Sequence, residues 1–144
     1  MKLTYQQIPY GWAFCFLNQC ARKDECLRYR AGLTIPDDCD TANAVTPTVL
    51  KGGTCPLFRK METIRVAVGF EHIFHDVKAR HAPYLRSKIT DYLGGNGTYY
   101  RYLHGERALT PEQQEWICDL FREYGYNENI VFDAYEERFR FYDD

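Results

Sequence analysis

The clearest alternation of hydrophobic and polar positions falls in residues 63–70. Every second side chain there is β-branched or aromatic, and the set is Ile64, Val66, Val68 and Phe70. A period of two with these residue types predicts a β-strand. The strand could continue to Ile73.

A second pattern, with helical spacing, covers residues 110–125. Thr110 is a favourable N-cap, Pro111 suits the first helical position, and Gln113 completes a capping box. One apolar stripe follows at helical intervals, formed by Trp116, Ile117, Leu120, Phe121 and Tyr124. Gly125 is expected to end this helix.

Weaker patterns predict three more elements. Pro83 can open a helix that ends at Gly94-Gly95 and carries Leu85, Ile89, Tyr92 and Leu93. Residues 24–30 favour a short helix, with acidic residues first and basic residues last. Residues 132–142 favour a last short helix, with a strand as the alternative.

Residues 31–56 are rich in Gly, Pro and Asp and predict a long turn-rich loop. Such a loop is uncommon in a compact domain unless something fixes it. We therefore expect a single domain, 1–144, of the α+β class. Residues 1–60 would form a cysteine-bound N-terminal lobe, and residues 61–144 would contain a strand of a short sheet and a helical C-terminal half.

Charge is unevenly distributed along the chain. The net charge is −2, whereas residues 110–144 carry three basic and ten acidic side chains. This balance counts against a dedicated nucleic-acid-binding protein. No apolar run resembles a signal peptide or approaches the ~20 residues that span a bilayer. We therefore expect a cytoplasmic protein that does not enter a membrane.

Six cysteines in a reducing compartment favour metal or redox chemistry over disulfides. Cys15, Cys20 and Cys26 lie close together, and Cys55 precedes a proline at the far end of the loop. Four thiolates satisfy a tetrahedral zinc ion, and the distant fourth ligand would fix the loop. An iron–sulfur cluster is the competing cofactor, because a Cys-Pro ligand is familiar there. The simplest alternative is that the thiols bind nothing and pack as small hydrophobes.

Two cysteines are left outside this set. Cys39 lies among acidic residues and could replace one ligand, although an exposed loop thiol is the favoured interpretation. Cys118 falls off the apolar stripe of its predicted helix, and we interpret it as structural.

His72 and His75, with Glu71 before them, are the other candidate metal ligands. On a helix the two histidines would share a face, but on the predicted strand they would point to opposite faces. We therefore expect ordinary histidines without a ligand role. The sequence contains no nucleophile elbow, phosphate-binding loop or dinucleotide fingerprint, so it favours a non-enzymatic protein and assigns no catalytic residue.

Residues 93–109 loosely resemble the turn and recognition helix of a repressor-type helix-turn-helix. In that interpretation the residues facing DNA would be Thr98, Tyr99, Arg101, Tyr102 and Arg107. Tyr100 and Leu103 would pack inward. The alternative is a tyrosine-rich packing helix, which the weak positive charge favours.

The whole chain resembles a family of small proteins of unknown function from gut bacteria. The segments that carry the resemblance are Cys15…Cys20…Cys26-Leu27-Arg28-Tyr29, Cys55-Pro56-Leu57-Phe58-Arg59, Tyr99-Tyr100-Arg101-Tyr102…Gly105-Glu106-Arg107, Gln113-Gln114 and Phe132-Asp133…Tyr135. The resemblance implies that Cys15, Cys20, Cys26 and Cys55 belong together, and it implies no activity. We expect a protein stabilised by structural zinc that binds a protein partner or DNA and has a binding or regulatory role. The alternatives are a DNA-binding regulator and an iron–sulfur protein in redox chemistry or sensing.

Overall fold

The computed structural model describes residues 1–142 and confirms an α+β fold. The described elements are α1 (Leu27–Gly32), β1 (Thr63–Val68), α2 (Ala82–Leu93), α3 (Asn96–Leu103), α4 (Pro111–Glu123) and β2 (Ala134–Phe139). Short 3₁₀ helices cover Tyr5–Gln7, Lys23–Glu25, Pro47–Leu50 and Glu71–Phe74. Within residues 1–142, no helix combines the length and the apolar character needed to cross a membrane.

The chain divides into two compact units. Of the described residues, the first unit contains Met1–Thr63 and residues 139–142, and the second contains Ile64–Arg138. Phe139 and Phe141, although they follow the second unit in the sequence, pack in the core of the first unit. β1 and β2 form a two-stranded antiparallel sheet.

The capped helix of the second unit forms as its sequence predicts. The Thr110 hydroxyl accepts a hydrogen bond from the backbone N–H of Gln113 at 3.3 Å, and the Gln113 side chain accepts one from the N–H of Thr110 at 2.9 Å. Ile117 and Phe121 are fully buried in the core of this unit, beside Phe70. Gly125 follows the helix with a positive φ of 91°, which glycine adopts without strain.

The two helices before α4 also follow their sequence signals. α2 ends at Gly94, whose φ of 102° is the left-handed conformation that ends helices. Leu85 and Ile89 bury the inner face of α2. α3 begins immediately after Gly95 and packs against α2.

Two predictions about secondary structure near the sheet are wrong in part. The predicted strand ends at Val68, and the chain turns at Gly69, with φ of 84°, into the 3₁₀ helix Glu71–Phe74. Residues 132–142 contain strand β2 rather than a helix, so the alternative is confirmed. Aromatic side chains spaced three or four residues apart favoured a helix, but pairing with β1 satisfies the backbone of this segment as a strand.

The first unit has its own core, formed by Trp12, Phe14, Leu27, Ala31, Phe139 and Phe141. The predicted short helix appears as the 3₁₀ turn Lys23–Glu25 followed by α1. The turn-rich loop is confirmed, since residues 33–56 contain only the 3₁₀ turn Pro47–Leu50 and an isolated bridge from Ala44 to Phe14.

Candidate metal centre

Cys15, Cys20, Cys26 and Cys55 all line one small cavity in the first unit. Its volume is about 20 Å³, close to the space that one water molecule occupies by this measure. Two cationic side chains, Lys23 and Arg28, also line it, and apolar side chains such as Val49 and Phe58 complete the wall. All six cysteines of the chain are thiols.

Cys26 is held by the chain that returns after the long loop. It forms an isolated antiparallel bridge with Lys60. The N–H of Leu27 donates to the carbonyl oxygen of Arg59 at 2.6 Å, and the N–H of Met61 donates to that of Glu25 at 3.1 Å. Cys26 is also the N-cap residue of α1 and is 7% exposed, so its position is fixed on both sides.

Cys15 is held against α1 by its backbone. Its N–H donates to the carbonyl oxygen of Arg28 at 3.1 Å. Gly32, the last residue of α1, packs so closely that a Cβ atom there would lie 2.5 Å from the Cys15 carbonyl oxygen. Glycine at position 32 therefore lets the Cys15 segment approach the helix.

Cys20 and Cys55 both lie in tight turns. The N–H of Cys20 donates to the carbonyl oxygen of Leu17 at 3.2 Å, and the N–H of Phe58 donates to that of Cys55 at 3.3 Å. Both residues, like Cys15, are partly exposed. The cavity can therefore be reached from solvent.

Arg28 connects the segments that carry the cysteines. Its Nη1 donates to the carbonyl oxygen of Ala13 at 2.8 Å, and its Nε donates to that of Leu57 at 2.7 Å. Its guanidinium carbon lies 4.5 Å from the Trp12 ring centroid, where cation–π attraction stabilises it. One side chain on α1 thus fixes the Cys15 segment and the turn after Cys55.

The electrostatics of the cavity favour the protonated form of the Cys15 thiol. Burial raises the pKa of this thiol, a hydrogen bond with the backbone of Leu17 partly offsets that rise, and the neighbouring Cys26, Cys20 and Cys55 raise it further because thiolates repel one another. Burial and the nearby Arg59 lower the pKa of Arg28, although a guanidinium stays charged at neutral pH.

The thiols surround the cavity without converging on one point. Within residues 1–142, no three His, Cys, Asp or Glu side chains are already close enough together to hold a metal ion. Cys39 does not line the cavity, and its thiol donates to the Thr41 carbonyl oxygen at 3.2 Å. Cys118 packs partly against the core of the second unit.

The prediction about the DNA-facing side of α3 is wrong for three tyrosines. Tyr99 and Tyr102 are 5% and 4% exposed, whereas Tyr100 is 54% exposed. Tyr99 packs edge-on against Phe70, with ring centroids 5.4 Å apart, so the packing of the core decides which face is buried. Arg101 and Arg107 are exposed and Thr98 is half-buried, and their contact with DNA stays a prediction.

The predicted placement of His72 and His75 on opposite faces of a strand is also wrong. They lie at the 3₁₀ helix Glu71–Phe74 rather than on a strand, and their rings are in contact.

Arg28 and Gly32 were not identified from the sequence, because their roles depend on carbonyl groups of residues distant in the chain. The only local indication of Arg28 was its position two residues after the candidate ligand Cys26.

Comparison with known proteins identifies a family and no activity. No curated protein and no solved structure matches the chain. Residues 1–141 match the model of a family of unknown function (DUF6078), and the chain therefore belongs to that family.

Proposed function

We propose that Cys15, Cys20, Cys26 and Cys55 bind one zinc ion, and that the protein is a non-enzymatic binding or regulatory protein stabilised by this ion. The observation that carries the proposal is that all four side chains line the same small cavity. They come from three separate segments, so one ion would connect the Cys15–Cys20 segment, the start of α1 and the end of the long loop.

The size of the cavity favours a single ion over an iron–sulfur cluster. A volume of about 20 Å³ accommodates roughly one water-sized sphere. A cluster contains several iron and sulfide atoms and would require the walls to move apart. Thiolates are suitable ligands for both zinc and an iron–sulfur cluster, so the cavity volume, and not the ligand type, distinguishes the two cofactors.

The charges around the cavity also favour zinc. Four thiolates and one Zn²⁺ carry a net charge of −2, and Lys23 and Arg28 supply two positive charges in the lining. The ion would also offset the burial and the mutual repulsion that together raise the pKa of Cys15. Zinc binding would therefore release protons and stabilise the first unit.

Binding requires the thiols to converge from their present positions. Three of the four are partly exposed, so rotation of their side chains meets little resistance. Because Cys26 is already fixed by α1 and Lys60, we expect it to stay in place while Cys15, Cys20 and Cys55 turn toward it.

The expected role of the ion is structural. Four protein thiolates fill the tetrahedral shell of zinc and leave no position for a substrate or an activated water.

The test is metal analysis of untagged protein purified without oxygen, combined with single Cys→Ser variants. We expect about one zinc per chain, and loss of zinc from C15S, C20S, C26S and C55S. Cys39→Ser is the matched control, because Cys39 does not line the cavity, and it should retain zinc. Iron with sulfide would replace the proposal by the cluster, and protein that neither contains nor binds zinc would overturn it.

A further inference from the structure

His72 and His75 form a close pair at the surface of the second unit. Their ring centroids lie 4.8 Å apart with the planes at 90°. His72 belongs to the 3₁₀ helix Glu71–Phe74 and His75 is its C-cap residue. Side chains three residues apart are eclipsed in a 3₁₀ helix, so this geometry brings the two imidazoles to the same side.

The backbone that carries the pair is held by Asp133. Its Oδ2 accepts a hydrogen bond from the N–H of Glu71 at 2.8 Å, and its Oδ1 accepts one from the N–H of His72 at 3.2 Å. A Cβ atom at Gly69 would lie 2.8 Å from the same Oδ2, so glycine permits this approach. Ile73, between the histidines, is 8% exposed and anchors the helix in the core.

We propose that His72 and His75 together bind a divalent transition-metal ion such as Ni²⁺, Cu²⁺ or Zn²⁺, with water in the remaining coordination positions. Imidazole nitrogen is a preferred ligand of these ions. Two nitrogens on one ion lie at most about 4 Å apart, since each metal–nitrogen distance is about 2.0–2.1 Å. Rings whose centroids are 4.8 Å apart reach that separation by rotation of the side chains alone.

The neighbouring groups define this as a two-ligand site. Nδ1 of His104 lies 3.2 Å from Oε1 of Glu71, so that carboxylate already has a partner. Within residues 1–142 no third ligand joins the two imidazoles, because no group of three such side chains is found there. Both rings are exposed, so an ion and its bound waters have access.

The proposal is independent of the cysteine centre. The pair belongs to the second unit, whereas all four cysteines belong to the first. Failure of one site therefore carries no information about the other, provided that the measurement reports on the histidines themselves.

The experiment is a titration with NiCl2 of the untagged protein, from which any zinc beyond one ion per chain has been removed by dialysis, and it is followed by the imidazole signals of the four histidines in NMR spectra. Paramagnetic Ni²⁺ should broaden the signals of His72 and His75 first. Removal of a group that only hydrogen-bonds to a metal ligand lowers metal affinity about 10-fold or more. Removal of a ligand itself should cost at least as much, so we expect His72→Gln and His75→Gln each to lower nickel affinity at least about 10-fold.

His81→Gln is the matched control, because Nδ1 of His81 hydrogen-bonds with the hydroxyl of Tyr126 and not with the segment that carries the pair. It should keep the affinity of the unsubstituted protein. Equal broadening of all four histidines, or unchanged affinity after His72→Gln or His75→Gln, would overturn the proposal.

Discussion

The Nε atom of Arg28 donates a hydrogen bond to the carbonyl oxygen of Leu57 at 2.7 Å. This contact joins α1, which begins directly after Cys26, to the turn that follows Cys55. The same guanidinium also binds the Ala13 carbonyl, two residues before Cys15. Arg28 therefore acts as a positioning residue for the proposed zinc ligands, although it is not a ligand itself.

Replacement of Arg28 tests this role directly. Arg28→Ala removes two hydrogen bonds from a charged donor, and we expect the first unit to lose about 2 kcal/mol of unfolding free energy. Zinc affinity should fall at least about 10-fold with all four cysteines intact. Urea unfolding followed by Trp12 fluorescence in a Trp116→Phe background would measure the stability, because Trp12 lies in the core of the first unit.

Two further variants separate position from charge. Arg28→Lys should not restore the affinity, because an ammonium group cannot reproduce the planar fork that reaches two carbonyls. Arg30→Ala changes an exposed arginine of the same helix and should alter stability by less than about 0.5 kcal/mol. Equal effects of Arg28→Ala and Arg30→Ala would contradict the positioning role.

The contact between Gly32 and Cys15 gives a second prediction. An alanine Cβ at position 32 would lie 2.5 Å from the Cys15 carbonyl oxygen, so the backbone would have to shift. We expect Gly32→Ala to destabilise the first unit by about 1–3 kcal/mol, as overpacking does. Gly52→Ala is the control, since nothing lies within 4 Å of its added Cβ atom. The same urea measurement applies, and a stabilising Gly32→Ala would contradict the observed packing.

The raised pKa of Cys15 predicts how stability depends on pH without metal. The thiol has a higher pKa when folded than when unfolded, so above about pH 8.5 the folded state binds more protons. The unfolding free energy should therefore fall as pH rises from about 8.5 through the raised pKa. Burial raises the pKa of Cys118 as well, so Cys15→Ser should weaken the slope without removing it.

Zinc should reverse this dependence. The thiols must lose their protons to bind the ion, so zinc affinity should increase as pH rises from 6 to 8. Thermal unfolding of metal-free and zinc-saturated protein across this range would compare the two forms. A stabilisation by zinc that does not change with pH would count against thiolate ligands.

The N-cap of α4 supplies a prediction for the second unit. Thr110→Ala removes the side-chain oxygen that accepts from Gln113, and it should cost about 1 kcal/mol. Thr110→Ser keeps that oxygen and should be nearly neutral. Fluorescence of Trp116 in a Trp12→Phe background would follow the unfolding of this unit, and an unchanged midpoint for Thr110→Ala would show that the cap contributes little.

Elements governed by local rules were predicted well from the sequence. The capping box at Thr110, the glycine stops at Gly94 and Gly125, and the strand from Thr63 all appear in the structure. Each depends on neighbours within a few residues, so the necessary information lies close together in the chain. The α+β class followed from these elements.

Errors arose where packing decided between two acceptable local structures. Tyr99 and Tyr100 are chemically equivalent in the sequence, and packing in the core, which includes the contact with Phe70, determines which one is buried. Likewise, the spacing of the aromatic residues in 132–142 is compatible with a helix or a strand, and pairing with β1 selects the strand. His72 and His75 became neighbours because Asp133, far along the chain, caps a 3₁₀ helix there.

The number and spacing of the cysteines in the sequence were enough to group Cys15, Cys20, Cys26 and Cys55 as candidate metal ligands. Only the tertiary structure decided that these four line one cavity, how much room it has, and that Arg28 and Gly32 bring its walls together. The physical reason is that spacing limits the distance two residues can span, whereas the positions of four side chains depend on hydrogen bonds and packing between distant segments.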